Sequence, residues 1–302
     1  MVSVIQTREL RMRYGAADVL TGVDLDVRKG EVLALLGPNG AGKTTTIEIL
    51  EGFRKRSAGD VSVLGTDPEL GDEQWRSRVG VVLQSWRDHS RWRVRELLGH
   101  LARFYVPYRA PYDTDELLGL VGLTDRAHAA VAALSGGQRR RLDVAIGLVG
   151  RPELLFLDEP TVGFDPEGRR EFHELIDGLA ALETTILLTT HDLDEAEKLA
   201  DRIVVLAGGQ IVADGTAAEL AARISGKGQV GYTLDGQPHQ DTVADPTTFV
   251  RDLFARHGTA VGDLQVRRPS LADTYLELVH AFETGSHDTA PSALNDMTGA
   301  VA

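Results

Sequence analysis

The sequence predicts an α/β fold with a helical insertion and a small α+β extension at its C-terminal end. Three observations carry this. EVLALLG at 31–37 is apolar at nearly every position, as in a strand covered on both faces, and it passes through a Gly-rich turn into the helix-like KTTTIEILEGF. Two more apolar runs, LLFLD at 154–158 and TTILLTTH at 184–191, have helical stretches between and after them, which is the order of parallel α/β units. From about Trp86 to Arg126 helical periodicity takes over, as in VRELLGHLARFY and TDELLGLVGL.

In chain order, residues 2–36 read as short strands joined by turns, with VDLDV at 23–27 alternating apolar and polar like a half-buried strand. DVSVLG at 60–65 and RVGVVLQ at 78–84 are further strands, and the helical subdomain spans about 86–150. IVVLAGGQIVADG at 203–215 reads as two strands around Gly208-Gly209, a hairpin signal. After Ala221 the character shifts. GKGQVGYTLDGQPHQD is polar with weak strand character, PTTFVRDLFARHG is helical, and GDLQVRRPSLADTYLELVHAF adds a strand and a helix. The expected organisation is a core over 1–222, an accessory α+β unit over 223–284, and a small, polar, disordered tail over 285–302.

With 302 residues, 42% of them hydrophobic, the chain can bury a substantial core. Its formal net charge of −13 argues against DNA or RNA as a partner, because such binding rests on neutralising phosphates with Lys and Arg. The absence of cysteine excludes disulfides and thiolate metal sites and suits a reducing cytosol. No apolar run approaches the roughly 20 residues of a spanning helix, and MVSVIQTRELRMRYG lacks the layout of a signal peptide. The expectation is a soluble chain that borrows any membrane role from a partner.

Residues 37–45, GPNGAGKTT, satisfy G-x-x-x-x-G-K-[ST] between a buried strand and a helix, the context that this phosphate-binding loop requires. Gly37, Pro38, Asn39, Gly40, Ala41, Gly42, Lys43, Thr44 and Thr45 form the cradle. Its glycines let backbone amides approach phosphate oxygens, and the helix adds its N-terminal dipole. Lys43 can reach the β- and γ-phosphates, and the Thr44 hydroxyl can ligate Mg2+. LLFLDEP ends a buried strand in Asp158 and Glu159, at the carboxyl edge where open α/β sheets bind ligands. Asp158 would face the metal region, and Glu159 could polarise an attacking water as a base or by orienting it. LSGGQ at 134–138 places Ser135 as the N-cap of an amphipathic helix, which is either an ordinary capped helix or a second anion site. Arg139, Arg140 and Arg141 behind it read as a solvated helix face.

The phosphate loop, LSGGQ and LLFLDEP in this order resemble the nucleotide-binding domain of ABC ATPases over roughly residues 3–220. The resemblance implies a P-loop ABC ATPase core with an antiparallel β subdomain and a helical subdomain. It implies ATP and Mg2+, and two chains paired head to tail, so that Ser135, Gly136, Gly137 and Gln138 face the ATP held by a second copy. It also gives roles to single positions. Tyr14 stacks on adenine, Gln84 approaches the metal and the water, His191 contacts the γ-phosphate, and Asp165 touches the opposite protomer. Catalysis would thus rest on Glu159, His191 and Gln84, with Thr44, Gln84 and Asp158 around the metal. Phe164 stands where a Leu is more usual, with no expected consequence.

THDLDEAEKLADRIVVLAGGQIVADGT and VRRPSLADTYLELV resemble the drug-resistance and antibiotic-export branch. That branch implies a homodimer on the cytoplasmic face of the membrane, bound peripherally to a separate transmembrane permease and powering export of a drug, antibiotic or other lipophilic compound. Residues near Trp86 to Arg95 are the expected coupling surface. The alternatives are a soluble ATPase acting on ribosome or DNA, or an importer ATPase.

Overall fold

The computed structural model describes residues 2–82, 89–161, 164–224, 228–267 and 275. Gln84, residues 86–88 of the expected coupling surface, most of the helix expected after residue 268, and the 285–302 tail lie outside them.

β1 (Ser3–Tyr14) and β2 (Ala17–Arg28) form an antiparallel hairpin of two 12-residue strands, longer than the short strands the sequence suggests. The register shifts between Thr7 and Leu10 and again between Met12 and Arg13. Such bulges break the alternation without ending the strand. β3 (Val32–Leu36) is buried at every position and leads through the 37–42 loop into α1 (Lys43–Leu50). β4 (Ala58–Val63) returns to pair with β1, giving an antiparallel sheet of order β2-β1-β4. The short α2 (Glu73–Arg76) precedes β5 (Val79–Val82).

α3 (Val94–Tyr105), α4 (Thr114–Leu120) and α5 (Gly136–Leu148) make up the helical insertion. The α/β alternation then resumes with β6 (Leu154–Asp158), α6 (Pro166–Ala181), β7 (Thr185–Thr190) and α7 (Leu193–Leu199). β8 (Arg202–Ala207), β9 (Gln210–Gly215) and α8 (Ala217–Ile224) follow. The central sheet has the order β5-β6-β7-β3-β8-β9, parallel except where β9 folds back on β8. The hairpin expected at Gly208-Gly209 is present, with φ of 53° and 77° there, a conformation that glycine takes without strain.

β3 is apolar throughout because it serves two cores. Val32, Ala34 and Leu36 face the helices, alongside Leu97, Leu142 and Phe172. Leu33 and Leu35 face α1 and the antiparallel sheet, alongside Ile5, Val23, Ile47 and Ile49. β6 divides its residues the same way, with Leu155 and Leu157 on the helical side and Leu154 and Phe156 on the other. This period of two, buried on both faces, fixes the register in which the strands deliver their carboxyl ends.

Beyond the core, β10 (Gly228–Leu234) and β11 (Gln237–Val243) form a hairpin around Asp235-Gly236. α9 (Pro246–His257) and β12 (Val261–Arg267) complete a separate sheet of order β11-β10-β12. The weak strand character read from this polar stretch is corrected to a regular seven-pair ladder from Gly228↔Val243 to Leu234↔Gln237. Its signal was the two-residue Asp-Gly turn, with φ of 51° and 79°.

Glu51, at the C-cap of α1, is 6% exposed. Burial, reinforced by Asp158 and Glu48, pushes its carboxyl from 4.5 to about 8. Through that window the folded chain holds a proton that the unfolded chain has released, so this group makes stability fall as pH rises. Glu51→Gln should therefore raise the melting temperature more at pH 8 than at pH 5, which thermal unfolding at the two pH values will check. Phe156, 1% exposed, should cost about 3–5 kcal/mol when cut to Ala, read from denaturant unfolding.

Candidate functional site

The cradle is built where β3 ends. Gly37 is packed so closely that a Cβ would lie 2.3 Å from the Leu206 carbonyl oxygen. Gly42, the N-cap of α1, has φ 105°, and a Cβ there would lie 2.6 Å from Leu20 Cδ2. Both positions exclude any side chain, by space at the first and by space and conformation at the second. Lys43 is buried, with Nζ donating to the carbonyls of Gly37 at 2.7 Å and Pro38 at 3.2 Å. Burial lowers its pKa, while the carboxylates of Glu159 and Asp158 act to raise it. Ala41 is buried and its amide donates to Pro38, while Asn39, Gly40 and Thr44 are exposed and Thr45 is half-buried. The loop thus opens outward at its tip and at the first turn of α1.

Across from the cradle, β6 and β7 end side by side. Asp158 stands opposite Thr189 in the ladder. The wholly buried Thr189 donates its hydroxyl to Asp158 Oδ1 at 2.6 Å and accepts from the Glu159 backbone N–H at 3.0 Å. One hydroxyl therefore fixes both acidic residues. Glu159 has φ 42°, a left-handed conformation uncommon outside glycine and strained for a residue with a Cβ. Its Oε1 lies 3.3 Å from His191 Nδ1, just past the end of β7. The His191 side chain is 56% exposed and that of Glu159 is 18% exposed, so the pair faces outward.

Arg140 is the correction. Among the described residues, the three arginines of α5 are not a solvated face. Arg140 is 7% exposed and donates to the carbonyls of Pro160 at 2.9 Å and Asp158 at 3.1 Å, gripping the turn that carries Glu159. Burial lowers its pKa, opposed by Asp143, Asp158 and Glu195. Arg139 pairs with Asp143, and Arg141 with Glu171. The sequence reading missed Thr189 as well. Its only signal was one of three threonine hydroxyls on a strand buried at every position.

Ser135 caps α5 through a reciprocal pair, accepting from the Gln138 N–H at 3.3 Å while Gln138 Oε1 accepts from the Ser135 N–H at 3.2 Å. Neither Gly136 nor Gly137 has a positive φ, and a Cβ on either would meet nothing within 4 Å. Nothing among the described residues demands glycine there. These residues share an open groove of about 490 Å³ with Phe164, Asp165 and the start of α6. Asp165 is exposed and caps α6, accepting from the Gly168 N–H at 2.8 Å. Phe164 meets Phe172 edge-on, with centroids 5.8 Å apart.

Tyr14 ends β1 with its ring 40% exposed and the Arg54 guanidinium 5.1 Å from its centroid. The Thr44 hydroxyl on α1 and the Asp158 carboxylate at the end of β6, against which α1 packs, are the oxygens that could hold a metal. Among the described residues, no three His, Cys, Asp or Glu side chains group as a metal cage. A sparse set of hard oxygens fits Mg2+, which keeps water and substrate phosphates as its remaining ligands.

Residues 20–162 match the family described as ABC transporter. The chain is 38% identical to a daunorubicin resistance ATP-binding protein of Streptomyces coeruleorubidus, covering 88% of this chain and 92% of that one. It is 36% identical to a fluoroquinolones export ATP-binding protein of Mycobacterium tuberculosis, covering 91% and 93%. With a linearmycin resistance ATP-binding protein of Bacillus subtilis the identity is 33%, covering 87% and 84%. Among solved structures, an ATP-binding subunit of an ABC transporter superposes with a TM-score of 0.65 at 26% identity, covering 91% of this chain and 99% of that one.

Thr189→Val keeps the shape of the side chain and leaves Asp158 and the Glu159 amide without their shared partner. Unfolding free energy should fall by about 1–3 kcal/mol, and Thr189→Ser should recover most of it. Denaturant titration of the two variants checks this.

Proposed function

The chain belongs to the ABC transporter family of ATP-binding proteins, and on that premise we propose that two copies bind and hydrolyse ATP to drive export of a lipophilic drug or antibiotic through a separate membrane subunit. The observation that supports this most is the convergence of Lys43, Asp158, Glu159 and His191 at the carboxyl ends of β3, β6 and β7. Among the described residues no helix is long and apolar enough to cross a membrane. In this reading the chain works peripherally, on the cytoplasmic face.

The geometry supports roles for the residues it describes, and the resemblance supplies that of Gln84. Lys43 exchanges the carbonyls of Gly37 and Pro38 for β- and γ-phosphate oxygens, while the amides of the loop and of the first turn of α1 hold the rest of the chain of phosphates. Tyr14 offers its exposed ring to adenine. Thr44, Asp158 and Gln84 would hold Mg2+, which when bound offsets the negative charge shared by the β- and γ-phosphates. Glu159 orients the attacking water and accepts its proton as the water oxygen bonds to the γ-phosphorus and the bond to the ADP oxygen breaks. His191 stands beside Glu159, with Nδ1 3.3 Å from Oε1, and would turn its ring N–H to the γ-phosphate once nucleotide enters.

Head-to-tail pairing gives the second glycine motif its purpose. Bare glycines at 136 and 137 let the amides of α5 approach a γ-phosphate held by the second copy, and Asp165 borders the same groove. In this reading the core runs to about residue 222, and the unit from β10 to β12 helps to pair the two copies.

Glu159→Gln should keep ATP binding and lower turnover by about 10²–10⁴-fold, whereas Lys43→Ala should weaken binding itself. Nucleotide titration and phosphate release separate the two effects. The Glu159→Gln protein with ATP should retain a polytopic membrane protein from detergent-solubilised membranes. Ribosomes or DNA in its place would overturn the export reading.

A further inference from the structure

β7 ends in two threonines, and successive residues of a strand face opposite sides of the sheet. Thr189 holds Asp158 and Glu159. Thr190 turns instead to α7, where its hydroxyl donates to Oε2 of Glu195 at 2.5 Å. Glu195 is 3% exposed, and the chemistry proposed above gives it no part. Burial pushes its carboxyl up, against the hydroxyls of Thr190 and Thr161, which favour the charged form. Thr161 lies two residues beyond Glu159, so this carboxyl stands between the turns that leave β6 and β7.

An ordinary helix start accounts for only part of this. Asp192 caps α7 by accepting from the Glu195 N–H at 3.2 Å. In a capping box, a Glu at that position returns its own side chain to the N–H of the capping residue. Here the Thr190 hydroxyl takes the Asp192 N–H, at 2.9 Å, and donates in turn to Glu195. The second oxygen of the Asp192 carboxylate accepts from Arg169 of α6 at 2.9 Å. The residues on both sides of His191 are thus fixed through their side chains, while the His191 side chain itself is left 56% exposed. A carboxyl that served only as a cap could lie at the surface. Drawing it inside costs its hydration, and what that gains is a hold on the residue directly before His191.

We propose that Glu195 is a positioning residue for ATP hydrolysis, which acts through Thr190 to set the backbone from which His191 reaches the γ-phosphate beside Glu159. This rests on the reading of Glu159 and His191 given above. The last two hydroxyls of β7 then divide the work, Thr189 holding Glu159 and Thr190 holding His191, so that one strand end carries the geometry of both. Glu195 acts through another residue and not on the nucleotide. Its loss therefore slows the chemical step and leaves nucleotide affinity intact.

The test measures ATP affinity by titration, and phosphate release at saturating ATP, in variants of the full chain verified as folded by thermal unfolding. Glu195→Ala should slow release by about 10²-fold and change ATP affinity by less than about twofold. Glu195→Gln, which keeps an acceptor for Thr190, should recover most of the rate. Thr190→Val and Thr190→Ser probe the other end of the bond with the carboxyl in place. They should divide in the same way, Val slow and Ser near normal, and they carry the test alone should Glu195→Ala not fold. Added to His191→Ala, Glu195→Ala should have no further effect on the rate, because both act through one ring. Losses that multiply in the double variant, a fall in affinity that matches the fall in rate, or no rescue by Gln and Ser would overturn the proposal. If Glu159→Gln and His191→Ala slow turnover and Glu195→Ala does not, only this inference fails. If none of the three slows it, the assignment of Glu159 and His191 fails with it.

Discussion

The hydroxyl of Thr189 holds together the part of the molecule where chemistry is concentrated. It sits on β7 opposite Asp158 on β6 and bonds both the Asp158 carboxylate and the Glu159 amide. Arg140 supports the same left-handed turn at Glu159 from another side, through the carbonyls of Asp158 and Pro160. A strained residue persists only where its neighbours over-determine it. Here a strand hydroxyl on one side and a buried guanidinium on the other do so, and they aim Glu159 at His191. The two cores beneath hold the strands in register. If β6 slipped by one residue against β7, Asp158 would lose Thr189, and each apolar side chain of β6 would turn to the wrong core.

How much of this was legible in the sequence depended on whether a feature is local. The cradle is local. Its glycines answer to close approach and to positive φ, both set within a few residues, and the pattern GPNGAGKTT carries them on its face. The buried strands were equally plain, because a strand covered on both faces leaves an unbroken apolar run, and LLFLD and β6 coincide residue for residue. Arg140 was not legible. Three consecutive arginines give no sign of which one turns inward, and burial of the middle one depends on two carbonyls 18 and 20 residues away in sequence. The long β1–β2 hairpin was obscured by its bulges, and the β10–β11 hairpin by polar side chains that hid its period of two. Gln84 lies outside the described residues, so its role stays an inference from resemblance.

The two glycine motifs differ in a way that bears on the proposed pairing. At Gly37 and Gly42 the chain itself forbids a side chain. At Gly136 and Gly137 nothing among the described residues forbids one, yet glycine so near a helix N-terminus carries a conformational entropy cost that alanine would avoid. A residue that costs stability and answers to no internal contact is best explained by something that approaches from outside. In the head-to-tail reading that visitor is a phosphate bound to another copy, for which a bare backbone is the requirement.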